Sequence, residues 1–408
     1  MPPASTAPQL PSKPAAALAA LTFAFALSQF YRSCLAVIAP ELQHDLVLTP
    51  AQFGLMSSSF FLAFAFAQLP VGIAFDRYGV GRPTAVLLAV GVVSAAAFAS
   101  ARGQTTGLLA QAGLGIACAP VFMGLLHYAS EHLSDHRYAK TISHSNAIGM
   151  LGALCATAPL GWIAHAMGWR SAIGLSAFMM AAACWGVWRF ARDGGHAAAR
   201  SERPAAMVVA SLGLLKIGTL WTLIPLCVAM AAGTAFRNTW GGVYLSNVFG
   251  LDASGRGLAL TLVTLFCFCT AFVLPLLIRR STLKRTIIGW VALPTIAAMV
   301  LANAPGAGLR TDLALLALLT TAGMVHPLVM AHGRFLVPAA LRGRALGVLN
   351  TFVFFGAALA SWGFGWIAER GAFSGTSAAA AFGSIFLAAA VALMLGLAAY
   401  AWSPRASN

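Results

Sequence analysis

Long apolar stretches separated by short polar segments repeat along the whole chain. Most stretches exceed about 18 residues, the length that lets a helix cross a bilayer core of about 30 Å. The pattern predicts an all-α polytopic membrane protein with twelve spans. These are residues 15–39, 50–75, 83–101, 105–130, 139–165, 169–190, 219–249, 253–278, 285–303, 311–335, 343–367 and 376–402.

Composition supports this fold class and excludes a soluble protein. The chain is 60% hydrophobic and 9% charged, whereas soluble domains carry about 25% charged residues. The net charge of +15 does not indicate a nucleic-acid partner, because the basic residues cluster in short segments between spans. Such clusters set membrane topology and contact lipid headgroups. The cysteines lie in apolar runs, and His132 with His136 lacks a third ligand, so no metal site is predicted.

The longest polar-rich segment, residues 189–216, divides the predicted spans into two halves. The predicted organisation is a tail at 1–14, a six-span half at 15–190, a linker at 191–218, a second half at 219–402 and a tail at 403–408.

Basic residues predict the orientation of the chain. Most Lys and Arg residues in loops fall on the cytoplasmic side when both termini are placed in the cytoplasm. The apolar run after residue 14 is longer than a signal-peptide core, so the first helix is expected to be retained. An alanine-rich, lysine-poor composition favours the inner membrane of a bacterium, and we expect a monomer.

The segment GIAFDRYGVGRP follows the second predicted span. Its motif residues are Gly72, Asp76, Arg77, Gly79 and Arg82. It resembles the signature G-x-x-x-D-R-x-G-x-x-R of the major facilitator superfamily, and the resemblance covers essentially the whole chain. The resemblance implies two pseudo-symmetric six-helix bundles around a substrate site near the membrane midplane. It also implies that the motif is a conformational latch, in which Gly72 allows close helix approach, Gly79 permits a turn and Asp76 faces nearby arginines.

Two departures from the family disfavour a proton–drug antiporter. Leu109 occupies the place of an arginine that many members carry in the fourth span. The fifth span, with Gly149, Gly152, Pro159 and Gly161, only partly matches the glycine–proline pattern of drug exporters.

Arg32 and Arg237 lie inside the first and seventh predicted spans, at matching places in the two halves. A central arginine costs about 2.5–3.5 kcal/mol on insertion scales. All ten acidic residues fall at predicted span ends or in loops, so none is expected to neutralise the pair. The hypothesis is a clamp for an anionic substrate, as in the organic-anion and organic-phosphate transporters that the layout resembles. The alternatives are snorkelling to the headgroups or a structural bond to a carbonyl.

Further candidates surround the two arginines. Gln29 lies one turn from Arg32, and Trp240 and Tyr244 follow Arg237 at helical spacing, so all three are predicted to contact substrate. His127, His326 and His332 are the predicted proton-coupling candidates, because histidine titrates near neutral pH. Arg334 is expected to serve a gate or a surface role.

The predicted function is secondary transport of a small carboxylate or organic phosphate, with uptake by proton symport or anion exchange. Export of drugs or of a larger metabolite such as a siderophore is the alternative. An enzyme is not expected, because the chain lacks a G-x-S-x-G elbow and an H-E-x-x-H motif. The chain also lacks a G-x-x-x-x-G-K loop, so gradients and not a nucleotide cofactor would drive transport.

Overall fold

The computed structural model describes residues 14–191, 213–274, 283–338 and 341–404. The predicted 191–218 linker and both predicted tails lie mostly outside these residues. Within the described ranges the chain is all-helical and contains no strand. In this described part of the chain, twelve helices are long and apolar enough to cross a membrane. Spans 1–12 are Pro14–Asp45, Pro50–Tyr78, Gly81–Ala99, Gln104–His132, His136–Met167, Trp169–Phe190, Gly218–Phe249, Ala253–Val273, Leu283–Asn303, Leu309–Phe335, Arg342–Phe373 and Ala378–Ala401.

Span 1 is longer than predicted because its helix continues through Pro40 to Asp45. Proline has no N–H, so it leaves the carbonyl of Ala36, four residues earlier, without its usual helical hydrogen bond. That free carbonyl lies against the second half of the protein, as described below.

Span 7 is interrupted where a continuous helix was expected. A π-helical turn at Phe236–Trp240 lies between short helices at Ala231–Ala235 and Gly241–Phe249. Isolated π turns inside α-helices occur frequently at functional sites. This one contains Arg237.

Span 10 is also interrupted. Helix Leu309–Thr320 is followed by a 3₁₀ turn at Thr321–Val325 and then by helix His326–Phe335. Pro327 lies in the first turn of the last helix, where its missing N–H has no helical partner to lose.

Spans 1–6 pack into a first bundle and spans 7–12 into a second, and glycines show that the two are related. In the first bundle, a Cβ on Gly152 of span 5 would lie 1.9 Å from the carbonyl oxygen of Ala26 in span 1. In the second, a Cβ on Gly356 of span 11 would lie 2.3 Å from the oxygen of Val228 in span 7. Small residues let helix backbones approach closely within membranes. The equivalent helix pairs therefore meet in the same way in both halves.

The two bundles meet through span pairs 2–11 and 5–8. These pairs are equivalent, because span 2 of the first bundle corresponds to span 8 of the second, and span 5 corresponds to span 11. A Cβ on Gly54 would lie 2.6 Å from the carbonyl oxygen of Ser361, between spans 2 and 11. A Cβ on Gly161 would lie 2.5 Å from the oxygen of Ala253, between spans 5 and 8. Both contacts lie toward the ends of the spans away from the termini, which we call the opposite face. The end that carries Pro14 and Pro404 is the terminal face.

The bundles are closed at the opposite face. Hydrogen bonds join them there, including the Ala158 N–H donated to Thr261 Oγ1 at 3.1 Å. By contrast, the polar residues Ser143, His144 and Asn146 in the terminal half of span 5 are exposed. The contacts at the opposite face and the exposed polar residues of span 5 indicate that the bundles separate toward the terminal face.

Candidate functional site

Arg32 lies near the middle of span 1, between the two bundles. Its guanidinium carbon is 4.5 Å from the ring centroid of Phe64 in span 2 and 5.2 Å from that of Phe354 in span 11. The two rings are themselves 4.3 Å apart between centroids. A cation over an aromatic face gains about 0.5–2 kcal/mol. The arginine is therefore held by one ring from each bundle.

The hydrogen-bonding capacity of Arg32 is largely open. Its Nε atom is buried and has no partner, and Arg32 forms no ion pair with a carboxylate in the described part of the chain. A guanidinium has five N–H donors and no acceptor. Burying such a donor without a partner is costly. The guanidinium therefore lacks an acceptor, and an anion would satisfy both the donors and the charge.

Arg237 occupies the π-helical turn of span 7. Its Nε–H donates to Oδ1 of Asn238 at 3.1 Å, and Ser33 Oγ of span 1 donates to the same oxygen at 3.3 Å. Among the described residues Arg237 also lacks an ion-pair partner. Its remaining donors are available to a ligand.

The two arginines lie at the same level of the interface. Ser33 follows Arg32, Asn238 follows Arg237, and these two neighbours are hydrogen-bonded. The guanidinium of Arg32 lies against rings of spans 2 and 11, whereas that of Arg237 is hydrogen-bonded to Asn238 of its own span. Gln29 is half-buried, one helical turn from Arg32 toward the terminal face.

The structure separates the three predicted histidines. His332 is buried and both ring nitrogens are bonded, Nδ1 to the Tyr400 hydroxyl at 2.7 Å and Nε2 to the Pro404 carbonyl at 3.0 Å. His127 lies 3.2 Å from the Glu131 carboxylate near the terminal face. His326 is half-buried between the bundles, and its buried Nε2 has no partner. Of the three, His326 is the one whose surroundings include the charge of Arg32.

Trp240 and Tyr244 were predicted to contact substrate, but both side chains are buried in the protein interior. Trp240 is 1% exposed, donates its Nε1–H to the Ser361 carbonyl at 3.1 Å and packs edge-on against Phe53. Tyr244 is 0% exposed and donates its hydroxyl to Asp312 Oδ2. We assign both residues a packing role in this conformation.

Asp312 is a buried carboxylate that sequence reasoning treated as an ordinary span end. It lies in the first turn of span 10 with 0% exposure, and the Gly306 N–H also donates to its Oδ2 at 2.8 Å. The spacing between Tyr244 and Asp312 in the sequence gives no sign of this bond.

Tyr244→Phe is expected to lower the free energy of unfolding by about 1–3 kcal/mol. The change removes the tyrosine hydroxyl, which donates a hydrogen bond to the buried carboxylate of Asp312. Substrate affinity should not change, since the ring packs inside the second bundle. Thermal unfolding and ligand titration of the purified protein separate the two effects. A large loss of affinity without a loss of stability would show that Tyr244 contacts substrate.

The motif loop between spans 2 and 3 lies at the terminal face. Gly79 ends span 2 with φ of 75°, a left-handed conformation that suits glycine. Asp76, Arg77 and Arg82 are exposed, and Asp76 forms no ion pair within the described ranges. The expected close approach at Gly72 is wrong for this conformation, because a Cβ there meets nothing within 4 Å. The predicted latch is therefore unpaired while the terminal face is open.

The closed opposite face has a charged contact that sequence reasoning missed. Arg256 of span 8 is 2% exposed and donates to the Glu41 carboxylate of span 1 and, at 3.1 Å, to the Val37 carbonyl. On the other side of the interface, Glu369 accepts the Ala51 N–H at 2.8 Å and the Thr49 hydroxyl at 2.9 Å. A carboxylate is favourable at a helix N-terminus. Each of these acidic residues therefore ties one bundle to the other.

Two six-helix bundles, closed at one face around mid-membrane arginines, define a polytopic membrane transporter. The chain belongs to the Major Facilitator Superfamily, whose family model matches residues 21–361. The resemblance predicted from the loop motif is confirmed, as is the all-helical fold with twelve spans.

Curated and solved relatives agree with this assignment. The chain is 30% identical over 139 residues to the hexuronate transporter of Bacillus subtilis (strain 168). That match covers 34% of this chain and 33% of the relative, so it spans about a third of the relative's length.

The solved structures share the fold at low identity. A mutant of the nucleoside transporter NupG has a TM-score of 0.78 at 14% identity, covering 95% of this chain and 99% of that one. A bacterial homolog of the human lysosomal transporter Spinster has a TM-score of 0.76 at 16% identity, covering 98% of each chain. The D-xylose-proton symporter has a TM-score of 0.74 at 14% identity, covering 96% and 98%.

Proposed function

We propose that this protein moves a small organic anion across the bacterial inner membrane by alternating access, with its termini in the cytoplasm. The observation that carries the proposal is the pair of mid-membrane arginines. Arg32 and Arg237 lie at one level of the interface, and neither pairs with a described carboxylate. A substrate carboxylate or phosphate supplies the missing charge and accepts hydrogen bonds from both guanidiniums.

The curated relative supports a sugar acid as the probe of first choice. The relative is named as a hexuronate transporter, and a hexuronate combines one carboxylate with several hydroxyls. In the site, the carboxylate would bind Arg32 and Arg237. Asn238 and Gln29 would meet the hydroxyl groups, since both lie within one turn of the arginines.

We propose that the protein takes up its substrate, either by proton symport or by anion exchange. The proton or anion gradient across the membrane would then set the direction of transport. Substrate would enter when the opposite face opens and leave at the terminal face in the conformation described here. Rocking of the two bundles exposes the site to each side in turn. Anion binding lowers the cost of enclosing the two positive charges.

A thermal-shift screen tests the substrate class. The detergent-purified protein is heated with D-glucuronate, D-galacturonate, organic phosphates, sulfonates and cationic drugs. A ligand at about a hundred times its dissociation constant stabilises the folded state by about 2.7 kcal/mol. We expect stabilisation by anions. Stabilisation by cations or neutral amphiphiles alone would contradict the proposal and favour an exporter.

A further inference from the structure

His326 lies where the two bundles meet, at the start of the last helix of span 10. The 3₁₀ turn before it and Pro327 after it set its position. Its Nε2 atom is buried without a partner among the described residues. Buried polar atoms in proteins usually have a hydrogen-bond partner, but no described residue supplies one to this nitrogen.

The surroundings of His326 come from three spans. Arg32 of span 1 influences the imidazole through its charge, and Asn350 of span 11 is a polar neighbour of the ring. Asn350 is one helical turn from Phe354, the residue that lies against the guanidinium of Arg32. Span 11 therefore presents Phe354 to Arg32 and, one turn away, the polar Asn350 to the surroundings of His326.

Arg32 is the charged group that faces His326 from across the interface. Span 11 contributes the uncharged Asn350 at this level. Along span 10 itself the next titratable residue is His332, whose ring is bonded to Tyr400 and Pro404. Span 9 contributes Lys284 near the terminal face, where its ammonium donates to the Ala401 carbonyl at 2.8 Å.

We propose that Arg32, His326 and Asn350 form a composite site that binds the substrate carboxylate together with one proton. The inference rests on the proposed function and specifies its coupling. The carboxylate that the proposed function places on Arg32 and Arg237 also faces the imidazole of His326, and the proton drawn from the solvent binds Nε2. Two cations side by side repel each other, and an anion placed between them adds two attractions that outweigh this repulsion. Protonation forms one N–H bond at Nε2 with a proton drawn from the solvent, and this bond breaks again where the anion is released and the proton returns to the solvent.

The binding of anion and proton is then reciprocal, since each raises the affinity for the other by the same factor. One proton accompanies each carboxylate, so a proton gradient drives accumulation. His326 comes from the second bundle and Arg32 from the first. Both ligands therefore favour the conformations in which the bundles approach each other at this level.

The experiment measures proton uptake when D-glucuronate binds the purified protein in a weakly buffered detergent solution at pH 7.5. We expect the wild type to take up about one proton per anion, and its affinity to fall by about tenfold per pH unit above neutrality. His326→Gln should bind the anion with no proton uptake and with an affinity that is independent of pH. His127→Gln is the matched control and should behave as the wild type, because His127 lies near the terminal face beside Glu131.

Two results would overturn the inference. One is anion binding by the wild type without proton uptake, and the other is unchanged uptake in His326→Gln. Both leave anion binding itself intact, so the proposed function would stand without this coupling. Failure of the wild type to bind any anion would contradict the proposed function and the inference with it. His326→Asn keeps a hydrogen-bonding side chain and replaces His326→Gln if the glutamine variant is unstable.

Discussion

Replacing Arg32 with glutamine is expected to lower the affinity for D-glucuronate by about 100- to 1000-fold. Truncating one partner of a buried, hydrogen-bonded charge pair costs about 2–5 kcal/mol, and each factor of ten corresponds to about 1.4 kcal/mol. The fold should survive, because Arg32 forms no ion pair in the described part of the chain and loses only its contacts with Phe64 and Phe354. Calorimetric titration and thermal unfolding measure the two effects.

Arg310→Gln is the matched control for this change. Arg310 is an exposed arginine in the first turn of span 10 at the opposite face, so its loss removes the same charge without touching the site. We expect wild-type affinity in the control. Equal affinity in Arg32→Gln and Arg310→Gln would show that Arg32 has a structural role.

Gly242→Ala is expected to prevent closure of the opposite face. A Cβ at this position would lie 1.6 Å from the Ala36 carbonyl oxygen of the other bundle. That carbonyl lacks its helical hydrogen bond because Pro40 has no N–H, and the glycine packs directly against it. Overpacking costs about 1–3 kcal/mol, enough to shift a conformational equilibrium by about 5- to 150-fold. We expect conformations open at the opposite face to replace the one described here.

Spin labels at Val47 and Phe373 report this shift. Both residues are exposed at the opposite face, at 86% and 82%, and they belong to different bundles. The labels are introduced as cysteines after the exposed Cys155 and Cys269 are replaced by alanine. Gly242→Ala should lengthen the distance between the labels and abolish transport. Gly363→Ala, where a Cβ meets nothing within 4 Å, should match the wild type. An unchanged distance in Gly242→Ala would contradict the expected block.

The spans could be predicted from the sequence because an apolar stretch of bilayer length must satisfy its backbone hydrogen bonds within itself, as a helix does. Twelve such stretches therefore indicate twelve membrane-spanning helices. It did not predict the interruptions in spans 7 and 10. The π turn around Arg237 is hydrogen-bonded to span 1 through Asn238, and such long-range packing has no local signature. The extension of span 1 through Pro40 was missed because proline usually ends a helix. Here the carbonyl of Ala36, which Pro40 leaves without a helical partner, packs against Gly242.

The candidate site could be predicted in part. The cost of an arginine within a membrane singled out Arg32 and Arg237 from hydropathy alone. Helical spacing from Arg237 also selected Trp240 and Tyr244, but spacing cannot tell which face of an interrupted helix looks into the cavity. The contact between Arg256 and Glu41 joins residues of different bundles. It becomes visible only when the bundles are assembled.

The central claim is that the guanidinium of Arg32 binds the substrate carboxylate. The most direct measurement compares D-glucuronate with its neutral amide, D-glucuronamide, in the wild type and in Arg32→Gln. These four affinities form a thermodynamic cycle that isolates the interaction between the two groups. We expect a coupling free energy of at least about 2 kcal/mol, because the amide should lose affinity in the wild type and little in the variant. A coupling near zero, with the same preference in both proteins, would contradict the account.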